Sequence, residues 1–254
     1  MVKLLREGAL ALLTLDRPEA LNALSFAVIR DIGAAIDEAA GWDIRALILT
    51  GTGEKAFCAG ADIKELVGRS LMDERAGSEL GQRVFAKLDS FKVPSIAAIN
   101  GYAFGGGLEL AMACTFRVAS SKARVGLPEI KLGLIPGYGG TQRLPRLVGE
   151  ARAAEIVLTG RTIDAEEALA IGLVTRLADG DVVEAAKAFA AEFTGYGLPA
   201  LALARAAVRR ALDVPLDEGL RIEADLSTLA YRTEDAAEGL TAFIEKRKPQ
   251  FRDK

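Results

Sequence analysis

Ile99-Asn100-Gly101-Tyr102-Ala103-Phe104-Gly105-Gly106-Gly107 leads out of an apolar strand, Val93 to Ile99, into a helix expected over 106–113. A glycine-rich turn from strand to helix presents bare backbone N–H groups, backed by the positive end of the helix dipole, to an anion or a developing oxyanion. Such a turn equally serves close packing alone. It is not a P-loop, because no Gly-Lys-Ser/Thr follows, and it lacks a Rossmann spacing with a ribose-binding acid downstream. Those two kinds of nucleotide site are disfavoured. A second turn of similar character, Ala56-Phe57-Cys58-Ala59-Gly60-Ala61-Asp62-Ile63-Lys64, follows the strand Arg45-Ala46-Leu47-Ile48-Leu49-Thr50 and leads into another expected helix. The pair either aims two N–H groups at one carbonyl oxygen or simply connects strands to helices.

Outward from these turns the chain keeps a β-then-α rhythm. A hairpin is expected over 2–15, a helix from the N-cap candidate Ser25 towards Ala40, a helical stretch over 72–90, and a strand at Phe116-Arg117-Val118-Ala119. Strands alternating with helices predict an α/β fold with a parallel sheet and crossover helices. Beyond residue 140 the pattern turns helical, with segments at 140–147, 150–159 and 164–170, one short strand at Gly172-Leu173-Val174-Thr175-Arg176, and helix over most of 181–246. Ala202 to Leu212 and Leu216 to Leu229 carry apolar residues at three- and four-residue spacing, so each needs a surface to cover, in its own core or on another subunit. No Pro-, Ser- or Gly-rich linker and no solenoid period interrupts the chain.

The 254 residues are 50% hydrophobic and 26% charged, the balance of a globular protein with a sizeable core. Lys plus Arg number 32 against 35 Asp plus Glu, a net charge of −3 that offers no field for nucleic acid or an acidic membrane. Histidine is absent, which removes Ser-His-Asp triads, Cys-His pairs and His-built metal sites. Cys58 and Cys114 are too few for a disulfide framework and read as buried thiols of a reducing compartment. The N-terminus carries no signal-like apolar region, and no stretch approaches the roughly 20 apolar residues of a membrane span, so a soluble, cytoplasmic protein is expected.

Without imidazole, acid–base chemistry falls to carboxylates, Lys, Tyr or Cys, and an apolar setting is what lifts a carboxylic acid towards neutral pH. Glu109, in Gly107-Leu108-Glu109-Leu110-Ala111, and Glu129, in Leu127-Pro128-Glu129-Ile130, meet that criterion. Read alone, each is either such an acid or a surface acid beside a core stripe. Six segments in order resemble the crotonase (enoyl-CoA hydratase/isomerase) family. These are 17–24, 56–64, 98–109, Pro128-Glu129-Ile130-Lys131-Leu132-Gly133-Leu134-Ile135-Pro136-Gly137, Gly139-Gly140-Thr141-Gln142-Arg143-Leu144, and Glu245-Lys246-Arg247-Lys248-Pro249-Gln250-Phe251.

The resemblance implies a spiral of ββα units over 1–195 and a C-terminal helical trimerisation region over 196–254, with trimers paired into hexamers. It implies an acyl-CoA thioester as substrate and reversible addition of water to trans-2-enoyl-CoA, without metal or organic cofactor, in the manner of a β-oxidation hydro-lyase. The backbone N–H groups of Ala61 and Gly106 would form the oxyanion hole. Glu109 would activate water and Glu129 deliver a proton to C2, acting as a coupled pair. Gly137 would hold the water through its N–H. For coenzyme A, Leu21, Lys55, Ala59 and Lys64 match binding positions, and Lys246 would reach from a neighbouring subunit. Asp62 reads as an N-cap or loop brace.

Two departures stand out. Cys114-Thr115 replaces the Cys-Asp of many relatives, and Tyr138 stands where relatives often carry a small residue, where it would trim the acyl pocket. The rival reading within the family is a Δ3,Δ2-enoyl-CoA isomerase, which needs one carboxylate. A non-catalytic RNA-binding or scaffold relative would want a Lys-rich exposed helix, whereas 25–40 carries Asp31, Asp37 and Glu38 against Arg30.

Overall fold

The computed structural model describes all 254 residues, Met1–Lys254, as two compact units, Met1–Ala190 and Ala191–Lys254. In the first, β1 (Val2–Glu7) and β2 (Leu10–Leu15) form the expected antiparallel hairpin, and β2 buries alternate residues. Helix α1 (Phe26–Ala40) starts where Ser25 accepts the Val28 N–H, and it buries Val28, Ile29, Ile32 and Ile36 along one stripe. Then come β3 (Ala46–Gly51), β4 (Ala56–Cys58), α2 (Leu71–Asp89), β5 (Ser95–Ile99), β6 (Tyr102–Phe104), α3 (Gly106–Ala113), β7 (Phe116–Ser120) and β8 (Arg124–Gly126). After them stand α4 (Gly140–Val148), α5 (Glu150–Thr159), β9 (Ile163–Asp164), α6 (Ala165–Ala170), β10 (Arg176–Ala178) and α7 (Val182–Ala191).

Two sheets result. The larger has the order β1-β2-β3-β5-β7-β10 and is parallel after its opening hairpin; the smaller is β4-β6-β8-β9, parallel except for β8 with β9. Every residue of β3 and β5 is buried, as expected of parallel strands covered on both faces. Each repeat therefore sends one long strand into the first sheet, one three-residue strand into the second, and returns by a helix: β3-β4-α2, then β5-β6-α3. This is the ββα spiral. Asn side chains pin the crossings, Asn100 donating to the carbonyls of Gly51 (3.0 Å) and Ala56 (3.2 Å), and buried Asn22 donating to that of Ala56 (2.9 Å).

Two expectations need correction. The segments 56–64 and 99–107, read as turns from strand to helix, each contain a strand of the second sheet before the turn. The strand expected at 172–176 forms later, as β10. Leu173 and Val174 are buried in a loop, where the Leu173 carbonyl accepts from Arg117 at 2.7 Å and Val174 N–H donates to Ala168, so the apolar run is a plug rather than a ladder. Arg117 is itself buried, and its guanidinium also donates to the carbonyls of Cys114 (2.9 Å) and Ala111 (3.4 Å), closing the end of α3.

The second unit holds α8 (Leu198–Arg210), α9 (Leu216–Ala230) and α10 (Glu234–Ile244). Its tail is tied back: the buried Asp235 carboxylate accepts the N–H groups of Arg252 (2.6 Å) and Asp253 (2.9 Å). Glu238 forms a two-pronged pair with Arg247 (2.6 and 2.9 Å), whose hydrogen bonds hold the Glu238 carboxyl down at about 2. Neither α8 nor α9 has a fully buried residue, and Leu216, Leu220, Leu229, Phe243 and Ile244 are exposed in the single chain. No helix of the structure is long and apolar enough to cross a membrane.

Candidate active site

The two glycine-rich turns meet at the ends of β4 and β6. Gly60 and Gly105 both take positive φ, +111° and +50°, which lets each short strand break sharply into the next element. A Cβ on Gly105 would stand 3.9 Å from the Gly60 Cα and 2.7 Å from Glu129 Oε1, so the turns abut and Glu129 faces them. Gly60 O accepts from Leu24 N–H and Asp62 N–H donates to Leu24 O, leaving the Ala61 N–H between them without an acceptor in the chain. Gly106 is the first residue of α3, and its N–H likewise lacks an intrahelical partner. Asp62 caps the 3₁₀ turn Ile63–Glu65 by accepting the Lys64 N–H at 3.3 Å, and it pairs with Arg17 at 3.4 Å, the bracing role expected of it.

Glu109 projects from the first turn of α3 and is 1% exposed. Its Oε1 accepts two backbone N–H groups, from Tyr138 (2.8 Å) and Gly140 (2.7 Å), at the loop that opens α4. Burial pushes its carboxyl up to about 7, with Glu129 adding to the rise and the two N–H groups and Arg143 opposing it. Arg143 in turn clasps Asp89 at the end of α2 through two bonds of 2.8 and 2.6 Å, fixing α4 and with it the loop. Glu129 lies in the 3₁₀ turn Pro128–Leu132, half-buried, and its carboxyl is also raised by burial. Its Oε2 is buried with no hydrogen-bond partner. A buried acceptor left unpaired is costly in a resting fold and is what a site reserved for water or substrate would show.

Gly137 belongs to the same loop as the Glu109 donors; its carbonyl accepts from Gln82 at 2.9 Å and its N–H meets no acceptor in the chain. Tyr138 is buried, with its ring against Phe85. Glu109, Glu129, Gly137, Tyr138 and the Ala61 and Gly106 N–H groups thus come from segments in direct contact with one another. Leu21 and Lys55 share a separate cleft of about 370 Å³ with Pro18, Asn22, Gly53 and Glu54. Ala59 is drawn to that cleft's edge by its N–H bond to Leu21 O (3.0 Å). Lys64 is exposed on its 3₁₀ turn, and Lys246 belongs to the second unit, in a left-handed turn after α10 with φ +55°. The direct hold of Tyr138 and Gly140 N–H on Glu109 is absent from the sequence reading. Its one signal is the run Pro136-Gly137-Tyr138-Gly139-Gly140 before a helix, a sequence suited to converging N–H groups. No three Asp, Glu or Cys side chains cluster so as to hold a metal ion.

The ββα repeats thus bring one buried and one half-buried carboxyl, Glu109 and Glu129, close to the backbone N–H groups of Ala61 and Gly106. Residues 6–254 match the family model described as enoyl-CoA hydratase/isomerase. A crotonyl-CoA hydratase of Syntrophomonas wolfei is 43% identical over 251 residues, covering 97% of this chain and 95% of that one. A short-chain-enoyl-CoA hydratase of Clostridium acetobutylicum is 42% identical over 245 residues, covering 96% and 94%. The crystal structure of an enoyl-CoA hydratase from Bacillus anthracis superposes with a TM-score of 0.94 at 38% identity, covering 100% of this chain and 99% of that one. The chain belongs to the enoyl-CoA hydratase/isomerase family, and its fold is the crotonase fold.

Proposed function

We propose that this protein is an enoyl-CoA hydratase, adding water reversibly across the C2–C3 double bond of a trans-2-enoyl-CoA. The observation that carries the reading is the pairing of Glu109, buried and raised to about 7, with Glu129, whose buried Oε2 is unpaired, beside the free N–H groups of Ala61 and Gly106. The thioester oxygen accepts from those two N–H groups, which stabilise the charge it gains as C3 is attacked. Water lies between the carboxyls and within reach of the Gly137 N–H. Glu109, as carboxylate, takes a proton from the water while its oxygen bonds to C3. Glu129, as acid, gives a proton to C2 as the enolate collapses. One water enters, a C–O and a C–H bond form, and the protons balance between the two carboxyls without a cofactor.

Leu21, Lys55, Ala59 and Lys64 are assigned to coenzyme A: the Leu21–Lys55 cleft suits the adenosine end, and exposed Lys64 suits a phosphate. Lys246 is assigned to the coenzyme bound by a neighbouring subunit. The apolar residues left exposed on α8, α9 and α10 support a homotrimer or a hexamer of paired trimers, in a cytoplasmic setting. Light scattering giving a monomer mass would remove that assembly.

Loss of the conjugated enoyl-thioester absorbance when the protein meets crotonyl-CoA tests the reaction. Rapid loss, abolished in Glu109→Gln and in Glu129→Gln, is the expected result. A Glu109→Gln variant that still hydrates would overturn the assignment. One that loses hydration yet still shifts a 3-enoyl double bond would be consistent with it, since isomerisation needs one carboxylate.

A further inference from the structure

The loop that supplies both N–H donors to Glu109 also drives an aromatic ring into the site. Tyr138 is 7% exposed, and its ring meets Phe85 of α2 edge-on, with centroids 5.7 Å apart and planes at 82°. One turn earlier on α2, a Cβ at Gly81 would stand 2.2 Å from Tyr138 Cδ1, and a Cβ at Gly106 would stand 3.0 Å from its Cδ2. The first distance is far inside any carbon–carbon contact. The absent side chain of Gly81 is therefore the space that the ring occupies, wedged between α2 and the opening residue of α3.

Tyr138 also touches both ends of the reacting frame: its ring lies against Gly106, whose N–H is assigned to the thioester oxygen, and its own N–H lies on Glu109. With C3 held between Glu109 and Glu129, as the hydratase reading has it, acyl carbons beyond C3 would run towards this ring, which is backed by Phe85 and α2. We infer that Gly81 and Tyr138 form a lock that closes the acyl end of the site and restricts it to short-chain enoyl thioesters, of crotonyl to hexenoyl length. The inference rests on the hydratase reading for the position of C3. A glycine on α2 is thus a specificity-determining residue although it carries no side chain.

The test compares the wild type, Tyr138→Ala, Gly81→Ala and the double variant on crotonyl-, hexenoyl-, octenoyl- and decenoyl-CoA. Wild-type kcat/KM should fall with length, and Tyr138→Ala should raise the decenoyl-to-crotonyl ratio by about tenfold or more, since each accommodated methylene is worth severalfold. Gly81→Ala pushes the ring, so it should lower both Tm and crotonyl turnover, and adding Tyr138→Ala should restore Tm. An unmoved length ratio in Tyr138→Ala, or a Gly81→Ala protein that melts and turns over like the wild type, overturns the lock. Should Tyr138→Ala fail to fold, Tyr138→Leu reads the same ratio. Calorimetric binding of butyryl-CoA against decanoyl-CoA separates the two readings. If no enoyl-CoA of any length is hydrated yet Tyr138→Ala gains about tenfold for the longer thioester, the hydratase reading fails and the lock stands.

Discussion

Replacing Glu109 by Gln removes a buried charge while keeping the acceptor on which the Tyr138 and Gly140 N–H groups converge. Burial holds this carboxyl at about 7 against an ordinary value of 4.5. A carboxyl raised on folding binds more protons folded than unfolded between those two values. Stability therefore declines as pH rises from about 4.5 to about 7 and stays lower above that window. At about 1.4 kcal/mol per pKa unit, ionised Glu109 costs the fold about 3 kcal/mol. Gln imitates the neutral acid and escapes that cost. At pH 8 the Glu109→Gln variant should thus be the more stable by about 3 kcal/mol, which for a chain of this size raises Tm by roughly 6–12 °C. The advantage should shrink towards zero near pH 4.5, while at pH 8 hydration is lost by a factor of about 10² or more. Thermal unfolding of both proteins across this range, at one fixed concentration because any self-association would make Tm concentration-dependent, reads the effect. A variant that melts at or below the wild type at pH 8, or an offset that ignores pH, would refute the burial argument.

Other consequences follow from the same geometry. If Glu109 is the proposed base it must be ionised to take a proton from water, so kcat/KM for crotonyl-CoA hydration should fall about tenfold per pH unit below about 7; a profile flat to pH 5.5 would move the base elsewhere. Arg117→Met strands the carbonyls of Cys114 and Leu173, while that of Ala111 keeps the Cys114 N–H, and should cost about 2–4 kcal/mol in urea unfolding, since each orphaned buried carbonyl costs about 1–3. Unchanged stability would show that relief of the buried cation outweighs those bonds. Asp235→Ala should release the tail at 252–253, seen as faster limited proteolysis there at unchanged thermal stability of the first unit. Cys58 and Cys114 are buried and raised to about 12, so a thiol reagent at pH 8 should label neither until the protein unfolds.

What the sequence made legible follows the length scale of each feature. Helix α1 announces itself through Ser25 and a run of apolar residues at helical spacing, and β3 and β5 through apolar runs long enough to be buried on both faces. The second sheet does not, because β4, β6 and β8 have three residues each, less than two full periods of alternation. Leu173 and Val174 mislead for the opposite reason: apolarity marks burial, and only the Arg117 bond to Leu173 O decides that the burial is in a loop. The two glutamates were recognisable from their apolar surroundings once histidine was absent. Their different environments were not, because the N–H groups on Glu109 come from residues 29 and 31 positions away, beyond β7 and β8, whose placement only the fold sets.

A similar separation in sequence links Tyr138 to Gly81. From the sequence, Tyr138 is legible as a candidate wall of the pocket, but a wall needs backing, and the backing is a glycine 57 positions earlier whose signal is an absence. In α2, Gly77 and Gly81 read as weak points of a helix, each costing about 1 kcal/mol against alanine. At Gly81 the cost is offset by the aromatic surface it admits, since Tyr138 buries its ring there against Phe85. Seating that ring also holds in place the Tyr138 N–H that Glu109 accepts, so on the proposed reading acyl length and the Glu109 carboxyl are set by one packing arrangement.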